Sequence, residues 1–345
     1  MTDTTTDTFE QALAALDVDD FWTKGYAILR DVYTPEEVER MRAEVSEHCG
    51  RGGGGDLMSG PLKHVLTDGR MARVAQKLLD TDTVIYGGDS SATINGKIRA
   101  WHKDNTDRQD PDAPDWDDQY TQLRFGVYLQ DHVTHSGGLN LKVGSHLECD
   151  LTSGETIYVK NNPGDMLVWS MRMTHSGAGT LLKDPNARFP EPDEWNAFPA
   201  DQVAPEHAER MAIFAHLGAD DKHARRYLDY LKTRTYMVEA WRRRPLTPES
   251  IAELEAVGIK VRDMPAEVKD DPRAGRDAQW QPYWYPGSKL VGAAAAPSAP
   301  SSSRPGGAEQ PFVQRYGRAV KRRLKGVAKG AQQGWRASAP QGGKR

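Results

Sequence analysis

His102 and Asp104 are the first residues in the chain whose types and spacing could bind a metal ion. Residues i and i+2 of a β-strand project from the same face, so both side chains of this His-x-Asp pair can reach one ion. An imidazole nitrogen and a carboxylate oxygen suit Fe(II), Mn(II) or Zn(II). The pair also arises by chance in many proteins, and it indicates a metal site only together with a further ligand.

His175 is the candidate for that further ligand. The segment Pro163-Gly164-Asp165 predicts a tight turn into an apolar strand that ends at Trp169, and His175 follows six residues later. A returning strand would carry His175 to the His-x-Asp pair. Two histidines and one carboxylate form a facial triad, which leaves three positions of an octahedral iron open. A structural zinc ion would require four protein ligands, and no fourth stands out.

The strands that must position these residues are predicted between about 82 and 218. Short apolar runs separated by Gly, Pro and Asn turns, with no helices between them, are typical of an antiparallel sandwich or barrel rather than of βαβ units. The predicted strands are 83–86, 123–129, 138–143, 156–159, 166–169 and 211–215, and the second half of the segment 21–29 predicts a short strand before them. If residues 125, 127 and 129 face the hydrophobic core, Arg124 lies on the opposite face, which could line a funnel toward the metal.

Helices are predicted on both sides of the strand-rich part. Thr34 as N-cap, Pro35 at the first helical position and Glu37 three residues after the cap predict a helix that runs to about residue 49. Another helix is expected around 70–80. We predict one domain over 9–286, with a core at about 82–218 and a helical part at 220–286. A flexible linker, 287–311, and a basic tail, 312–345, follow it.

Composition narrows the class of protein. The formal net charge is −4, but residues 301–345 hold 11 Lys and Arg against one acid, so the rest of the chain is strongly acidic. An acidic main domain argues against nucleic acid as its ligand. The two cysteines form no CxxC pair, and the N-terminus has neither a basic nor an apolar signal region, so a cytoplasmic protein is expected.

The basic tail allows two interpretations. Apolar residues fall at helical intervals and are surrounded by Lys and Arg, a pattern that can lie on an anionic membrane surface or contact another anionic partner. The alternative is a disordered solubilising tail, since several glycines weaken the candidate helix.

The chain resembles the phytanoyl-CoA dioxygenase-like branch of Fe(II)- and 2-oxoglutarate-dependent oxygenases over roughly residues 18–218. The segments that carry the resemblance are 25–30, 101–104, 136–146, 163–165 and 174–177. The resemblance implies a double-stranded β-helix (jelly-roll, cupin-like) core with flanking helices. It also implies Fe(II), 2-oxoglutarate as co-substrate, and O2.

Site residues follow from this resemblance. A 2-oxoglutarate-binding arginine is implied after the distal histidine, because its planar fork pairs with a carboxylate through two hydrogen bonds. Arg210 opens a convincing strand and is the preferred candidate; Arg188 lies at the usual distance but in poor strand context. Ser176 is expected to add a hydroxyl contact to the same ligand. Arg124 is expected either to contact that ligand or to form a structural ion pair.

The remaining polar features have two interpretations each. The acidic loop 105–119 either covers a substrate, where its carboxylates could select a cationic or polyhydroxyl molecule, or is simply solvated. His132 and His135 are expected in a solvated turn, where one could touch substrate, whereas His146 and His216 are expected to be structural.

The activity implied is hydroxylation of an unactivated C–H bond of a small-molecule or biosynthetic intermediate, with release of succinate and CO2. Asp104 disfavours halogenation, because related halogenases lack the carboxylate ligand. The rival hypothesis is a non-catalytic jelly-roll protein that binds a ligand in the same cavity; a zinc hydrolase is a third. The sequence predicts neither the substrate nor the oligomeric state.

Overall fold

The computed structural model describes residues 4–50, 55–96, 99–108, 110–177, 180–186, 199–204 and 209–275. Arg188, the predicted linker and the predicted basic tail lie outside the described residues, and the domain boundaries therefore stay predictions. Within the described part, no helix is both long and apolar enough to cross a membrane.

The described elements are nine α-helices and eleven strands, joined by short 3-10 turns. The helices are α1 Thr4–Ala15, α2 Val18–Lys24, α3 Pro35–Gly50, α4 His64–Thr67, α5 Arg70–Leu79, α6 Lys222–Leu231, α7 Thr235–Arg243, α8 Pro248–Glu255 and α9 Met264–Val268. The strands are β1 Tyr26–Leu29, β2 Val84–Tyr86, β3 Ser90–Ile94, β4 Arg99–His102, β5 Gln122–Tyr128, β6 Leu139–Val143, β7 Glu155–Tyr158, β8 Met166–Ser170, β9 His175–Gly177, β10 Met211–Gly218 and β11 Ile259–Val261.

Eight consecutive strands, β3 to β10, form two sheets. The larger sheet has the neighbours β3-β10-β5-β8, extended by β1 beside β8, by β2 beside β10 and by β11 beside β2, and the smaller sheet has the order β4-β9-β6-β7. The chain therefore crosses between the sheets repeatedly, and strands distant in sequence become neighbours. This is the topology of a jelly roll, or double-stranded β-helix, and it confirms the fold expected from the sequence.

The two faces of the larger sheet bury different side chains. Along β5, Leu123, Phe125 and Val127 pack into a core shared with α3 and α5, whereas Tyr128 packs between the two sheets. This alternation places Arg124 on the inner face with Tyr128, as the strand period predicted. The inner face is the one that can line a cavity between the sheets.

The local sequence signal for the start of α3 predicted its capping correctly. At the start of α3 the Thr34 hydroxyl accepts from the Glu37 amide at 3.2 Å, and the Glu37 carboxylate accepts from the Thr34 amide at 2.9 Å. This is the reciprocal capping pattern that the sequence predicted.

Two strands were not predicted. The helical assignment of 220–286 was wrong for β11, which pairs in parallel with β2, and β3 was not anticipated. Three residues are too few to show a period, and β3 begins with the polar run Ser90-Ser91, so both strands depend on pairing with distant partners.

A close contact joins the N-terminal segment to the turn after β6. Gly25 has a φ of 87°, and a Cβ added there would lie 2.4 Å from Nδ1 of His146. The His146 ring is 1% exposed, and its Nε2 donates to the Trp22 carbonyl at 2.9 Å. Burial lowers the pKa of His146 to about 4. His146 is therefore a structural residue that has to remain neutral, as expected.

We predict that His146 makes the stability of the fold depend on pH. Its folded pKa of about 4 lies below the ordinary 6.5, so the unfolded chain takes up a proton first as the pH falls through this window, and the folded state loses stability. A His146→Gln variant keeps an amide donor for the Trp22 carbonyl but does not titrate. Between about pH 7.5 and about pH 5.5 it should lose about 1 kcal/mol less unfolding free energy than the wild type in urea titrations. Equal losses would contradict the assignment.

Candidate metal centre

The structure brings the three predicted metal ligands together. β4 and β9 are antiparallel neighbours in which His102 lies directly opposite His175, and Asp104 follows two residues after the end of β4. The Asp104 carboxylate oxygens lie 3.8 Å from Nε2 of His102 and 3.6 Å from Nε2 of His175. One ligand atom from each residue falls within 4.8 Å of the others. Two ligands of one ion can be roughly 4 Å apart, so this cluster is the right size.

The hydrogen bonds of the two imidazoles direct their free nitrogens into the cluster. Nδ1 of His102 lies 2.7 Å from the Ala100 carbonyl, and Nδ1 of His175 lies 3.0 Å from the Met173 carbonyl. A carbonyl oxygen only accepts, so each Nδ1 carries the proton and each Nε2 keeps its lone pair. A backbone partner of this kind orients a histidine for metal binding.

The electrostatics of the cluster favour the protonation states that a cation needs. Burial, with the neighbouring His175, lowers the pKa of His102 to about 3, and burial also lowers the pKa of His175. Burial alone would raise the pKa of Asp104, but His175, Arg124 and His102 outweigh it, and the pKa lies well below its usual range. Near pH 7 the site therefore offers two neutral imidazoles and one carboxylate.

The donor set fits an open iron centre better than a closed zinc site. Within the described residues, no fourth His, Cys, Asp or Glu joins the cluster. Three ligands of this type leave positions free for further ligands on a six-coordinate ion. A structural zinc ion would lack one protein ligand here.

Arg210 is a buried cation next to β9, the strand that carries His175. It lies just before β10, is 5% exposed, and its Nε has no hydrogen-bond partner among the described residues. Its guanidinium carbon is 5.0 Å from the centre of the Tyr128 ring. A Cβ added at Gly177 would lie 3.9 Å from Nη2 of Arg210. Gly177 and His175 share one face of β9, so the guanidinium lies on the metal side of this strand.

Arg99 adds positive charge on the side of β9 where His175 and the Arg210 guanidinium lie. It is exposed and lies directly across the β4–β9 pair from Gly177, so its side chain projects on the same face. We find no acid paired with it in the described part of the chain. Burial is the main reason for the lowered pKa values of His102, His175 and Arg210, and the charge of Arg99 contributes to all three.

Ser176 points away from this cluster. It alternates with His175 and Gly177 along β9 and lies opposite Asn140 on β6. Its hydroxyl accepts from the Asn140 side-chain amide at 3.2 Å. The structure therefore does not place Ser176 with Arg210, and the strand period gives the reason.

Arg124 contacts the metal carboxylate itself. Its Nε lies 3.4 Å from Oδ2 of Asp104, and its Nη1 lies 2.9 Å from Oδ2 of Asp89. Its Nη2 donates to the Tyr227 hydroxyl at 3.2 Å. Of the two roles considered for Arg124, this geometry shows the ion pair directly.

His132 is a buried residue that sequence reasoning assigned to a solvated turn. It is 1% exposed, and burial with the nearby charge of Arg210 lowers its pKa to about 3. The Gln130 side-chain oxygen accepts from the Met211 amide at 2.6 Å, so the Gln130 amide nitrogen donates to Nε2 of His132 at 2.9 Å. The proton is then on Nδ1, which has no hydrogen-bond partner among the described residues.

The acidic loop after Asp104 is held by ion pairs rather than left free. Arg226 of α6 pairs with both Asp107 and Asp115, and Asp115 lies 3.4 Å from Nε of Arg226. Asp118 pairs with Lys222 at 2.8 Å and with His223 at 2.7 Å. These contacts satisfy three carboxylates within the fold, which weakens the hypothesis that they select a cationic substrate.

Known proteins with a similar fold were found only by structure. No protein-family model matches the chain, and no curated protein is similar to it in sequence. SnoK, a non-heme alpha-ketoglutarate-dependent carbocyclase from nogalamycin biosynthesis, is 15% identical, with a TM-score of 0.43 over 61% of this chain and 86% of SnoK. EctD from S. alaskensis, solved with 2-oxoglutarate and 5-hydroxyectoine, is 16% identical, with a TM-score of 0.43 over 59% of this chain and 74% of EctD. Likeness at this level carries no conclusion about what this chain binds.

We predict that metal binding depends on His175 and not on its neighbour. His175→Ala removes a ligand and should weaken Co(II) binding by more than about 100-fold, because even loss of an outer partner costs 10- to 100-fold. Ser176→Ala is the matched control: the hydroxyl is on the other face of β9, and Co(II) affinity should stay at the wild-type value. Anaerobic titration followed by visible absorption measures both. Equal affinity in the two variants would exclude His175 as a ligand.

Proposed function

We propose that the chain is an Fe(II)- and 2-oxoglutarate-dependent dioxygenase that hydroxylates an unactivated C–H bond of a small molecule and releases succinate and CO2. The observation that carries the proposal is a three-ligand cluster, His102, Asp104 and His175, beside a buried arginine that has no carboxylate partner among the described residues. The first part suits an open iron centre, and the second suits a co-substrate carboxylate.

The buried charge of Arg210 is the more specific half of this argument. A buried charge without an acid partner is strongly unfavourable, so a guanidinium that is 5% exposed and has no acid partner in the described part of the chain calls for an anionic ligand. The Nδ1 proton of His132 and the exposed cation of Arg99 lie nearby and have the same polarity. A dicarboxylate that reaches both the metal and Arg210 would satisfy these groups.

The residues then have distinct tasks. His102, Asp104 and His175 would hold Fe(II), which supplies oxidation of the C–H bond with O2 when the co-substrate is bound. Arg210 would bind the far carboxylate of 2-oxoglutarate and so fix its orientation. The buried inner face of the larger sheet, with Tyr128 and Trp169, excludes water from one side of the site.

The rival proposal is a jelly-roll protein that binds a ligand without redox chemistry. Such a protein has no need of three metal ligands whose protons and backbone partners are arranged for coordination. A zinc hydrolase on the same triad would have no need of Arg210. Either rival would fail to give a ferrous 2-oxoglutarate complex.

We predict a weak visible charge-transfer band when Fe(II) and then 2-oxoglutarate are added to the protein without oxygen. The band reports 2-oxoglutarate bound directly to ferrous iron. Asp104→Ala should abolish it by removing a ligand. Absence of the band in the wild type, with Fe(II) shown to be bound, would reject the proposed function. Screening candidate substrates for stimulated succinate release would then identify the reaction.

We predict that Arg210 acts on the co-substrate and not on the metal. Arg210→Met removes the guanidinium and should raise the 2-oxoglutarate dissociation constant by about 100-fold, the size expected for losing a charged hydrogen-bonded pair. Fe(II) affinity should stay unchanged. Arg188→Ala is the control, because Arg188 is the other candidate. If Arg188→Ala weakens 2-oxoglutarate binding and Arg210→Met does not, the assignment moves to Arg188.

A further inference from the structure

Asp104 is held differently from the other two metal ligands. His102 and His175 are paired across two strands, and each ring also bonds a backbone carbonyl. Asp104 lies beyond the end of β4, and its backbone amide donates to the Met171 carbonyl at 2.9 Å. Among the described residues, the only groups within ion-pair distance of its carboxylate are the two histidines and Arg124.

Arg124 is itself fixed from the side away from Asp104. It is 12% exposed and lies in the middle of the larger sheet, between β8 and β10. Its Nη1 pairs with Asp89 at 2.9 Å, and its Nη2 donates to the Tyr227 hydroxyl at 3.2 Å. The Tyr227 hydroxyl donates to Asp89 at 2.5 Å, which closes a ring of three side chains.

The ring draws its parts from distant elements. Asp89 lies between β2 and β3, and its backbone carbonyl accepts from the His216 amide of β10 at 3.0 Å. Tyr227 belongs to α6, is 3% exposed, and packs against the His216 ring at 4.7 Å between centroids. The direction of the Arg124 guanidinium is thus set by the packing of α6 on the larger sheet.

We propose that Arg124 is a positioning residue that holds the Asp104 carboxylate toward the two histidines, anchored by Asp89 and Tyr227. The proposal rests on the metal site of the proposed function and assigns Arg124 to Asp104 rather than to 2-oxoglutarate. A planar guanidinium can reach three partners at once in fixed directions, which a lysine cannot. Outer partners of this kind affect metal affinity strongly although they never touch the ion.

The direction in which metal affinity changes when Arg124 is replaced distinguishes positioning of Asp104 from simple charge repulsion. Arg124 is a cation near a cation site, so if its charge alone mattered, removing it would strengthen metal binding. If it positions Asp104, removing it weakens metal binding. Arg124→Lys keeps the charge and loses the fork, and Asp89→Asn keeps Arg124 but weakens its anchor.

The test is anaerobic Co(II) titration, followed by visible absorption, of the full-length protein. We expect Arg124→Met to lower Co(II) affinity about 10- to 100-fold, and Arg124→Lys and Asp89→Asn to lower it by about 10-fold. The control is Arg226→Met, which removes another buried arginine with two carboxylate partners, neither of which is a metal ligand. It should lower the melting temperature and leave Co(II) affinity at the wild-type value.

Two outcomes would overturn the proposal. Unchanged or increased Co(II) affinity in both Arg124→Lys and Asp89→Asn would show that Arg124 does not position Asp104, even if Arg124→Met fails to fold. If the Arg124 variants lose 2-oxoglutarate binding at saturating metal but keep the wild-type Co(II) affinity, Arg124 acts on the co-substrate and not on Asp104. Failure of the proposed function is a separate result, because it would appear as a wild-type protein that binds metal but gives no complex with 2-oxoglutarate.

Discussion

The antiparallel pairing of β4 with β9 is the interaction on which the candidate site depends. It places His102 directly opposite His175 although 73 positions separate them in the sequence. The pairing requires the chain to cross between the two sheets several times before β9 returns, and the jelly-roll order provides this return. In the paired strands, backbone carbonyls accept from Nδ1 of both imidazoles. These hydrogen bonds fix the orientation of each ring and direct its Nε2 into the cluster. The fold therefore positions two of the three ligands, His102 and His175, before any metal is present.

The sequence predicted this part well because its signals are local. A His-x-Asp pair, a Pro-Gly-Asp turn and an apolar strand are each visible within a few residues, and alternation along β5 placed Arg124 on the inner face. The same alternation applied to β9 would have turned Ser176 away from His175, so the signal for that correction was also in the sequence. What periodicity could not show was pairing between distant segments. β3 and β11 are short strands without a clear period, and they form because β10 and β2 offer them an edge.

Charges inside the fold were the hardest feature to predict. The acidic loop after Asp104 was expected either to cover a substrate or to be solvated, yet Asp107 and Asp115 pair with Arg226, which is more than 100 residues away in the sequence. His132 looked solvated, but it is enclosed near Arg210. Composition gives the number of charges and not their partners, and the partners of this loop come from α6. For this reason the sequence left Arg124 with two possible roles, a ligand contact or a structural ion pair.

The distinction between paired and unpaired arginines resolves these roles. Arg124 and Arg226 each lie between two carboxylates, so their charges are already compensated and their effect is to fix the direction of those carboxylates. Arg210 is equally buried and has no carboxylate partner within the ranges that the structure describes, which is a costly state for a folded protein to maintain unless an anion completes it. The Arg210 guanidinium lies on the face of β9 that also carries His175, so an anion bound to Arg210 and a metal ion bound to His175 would lie on the same side of this strand. A ligand that carries one acid group for each of them satisfies both requirements with a single molecule.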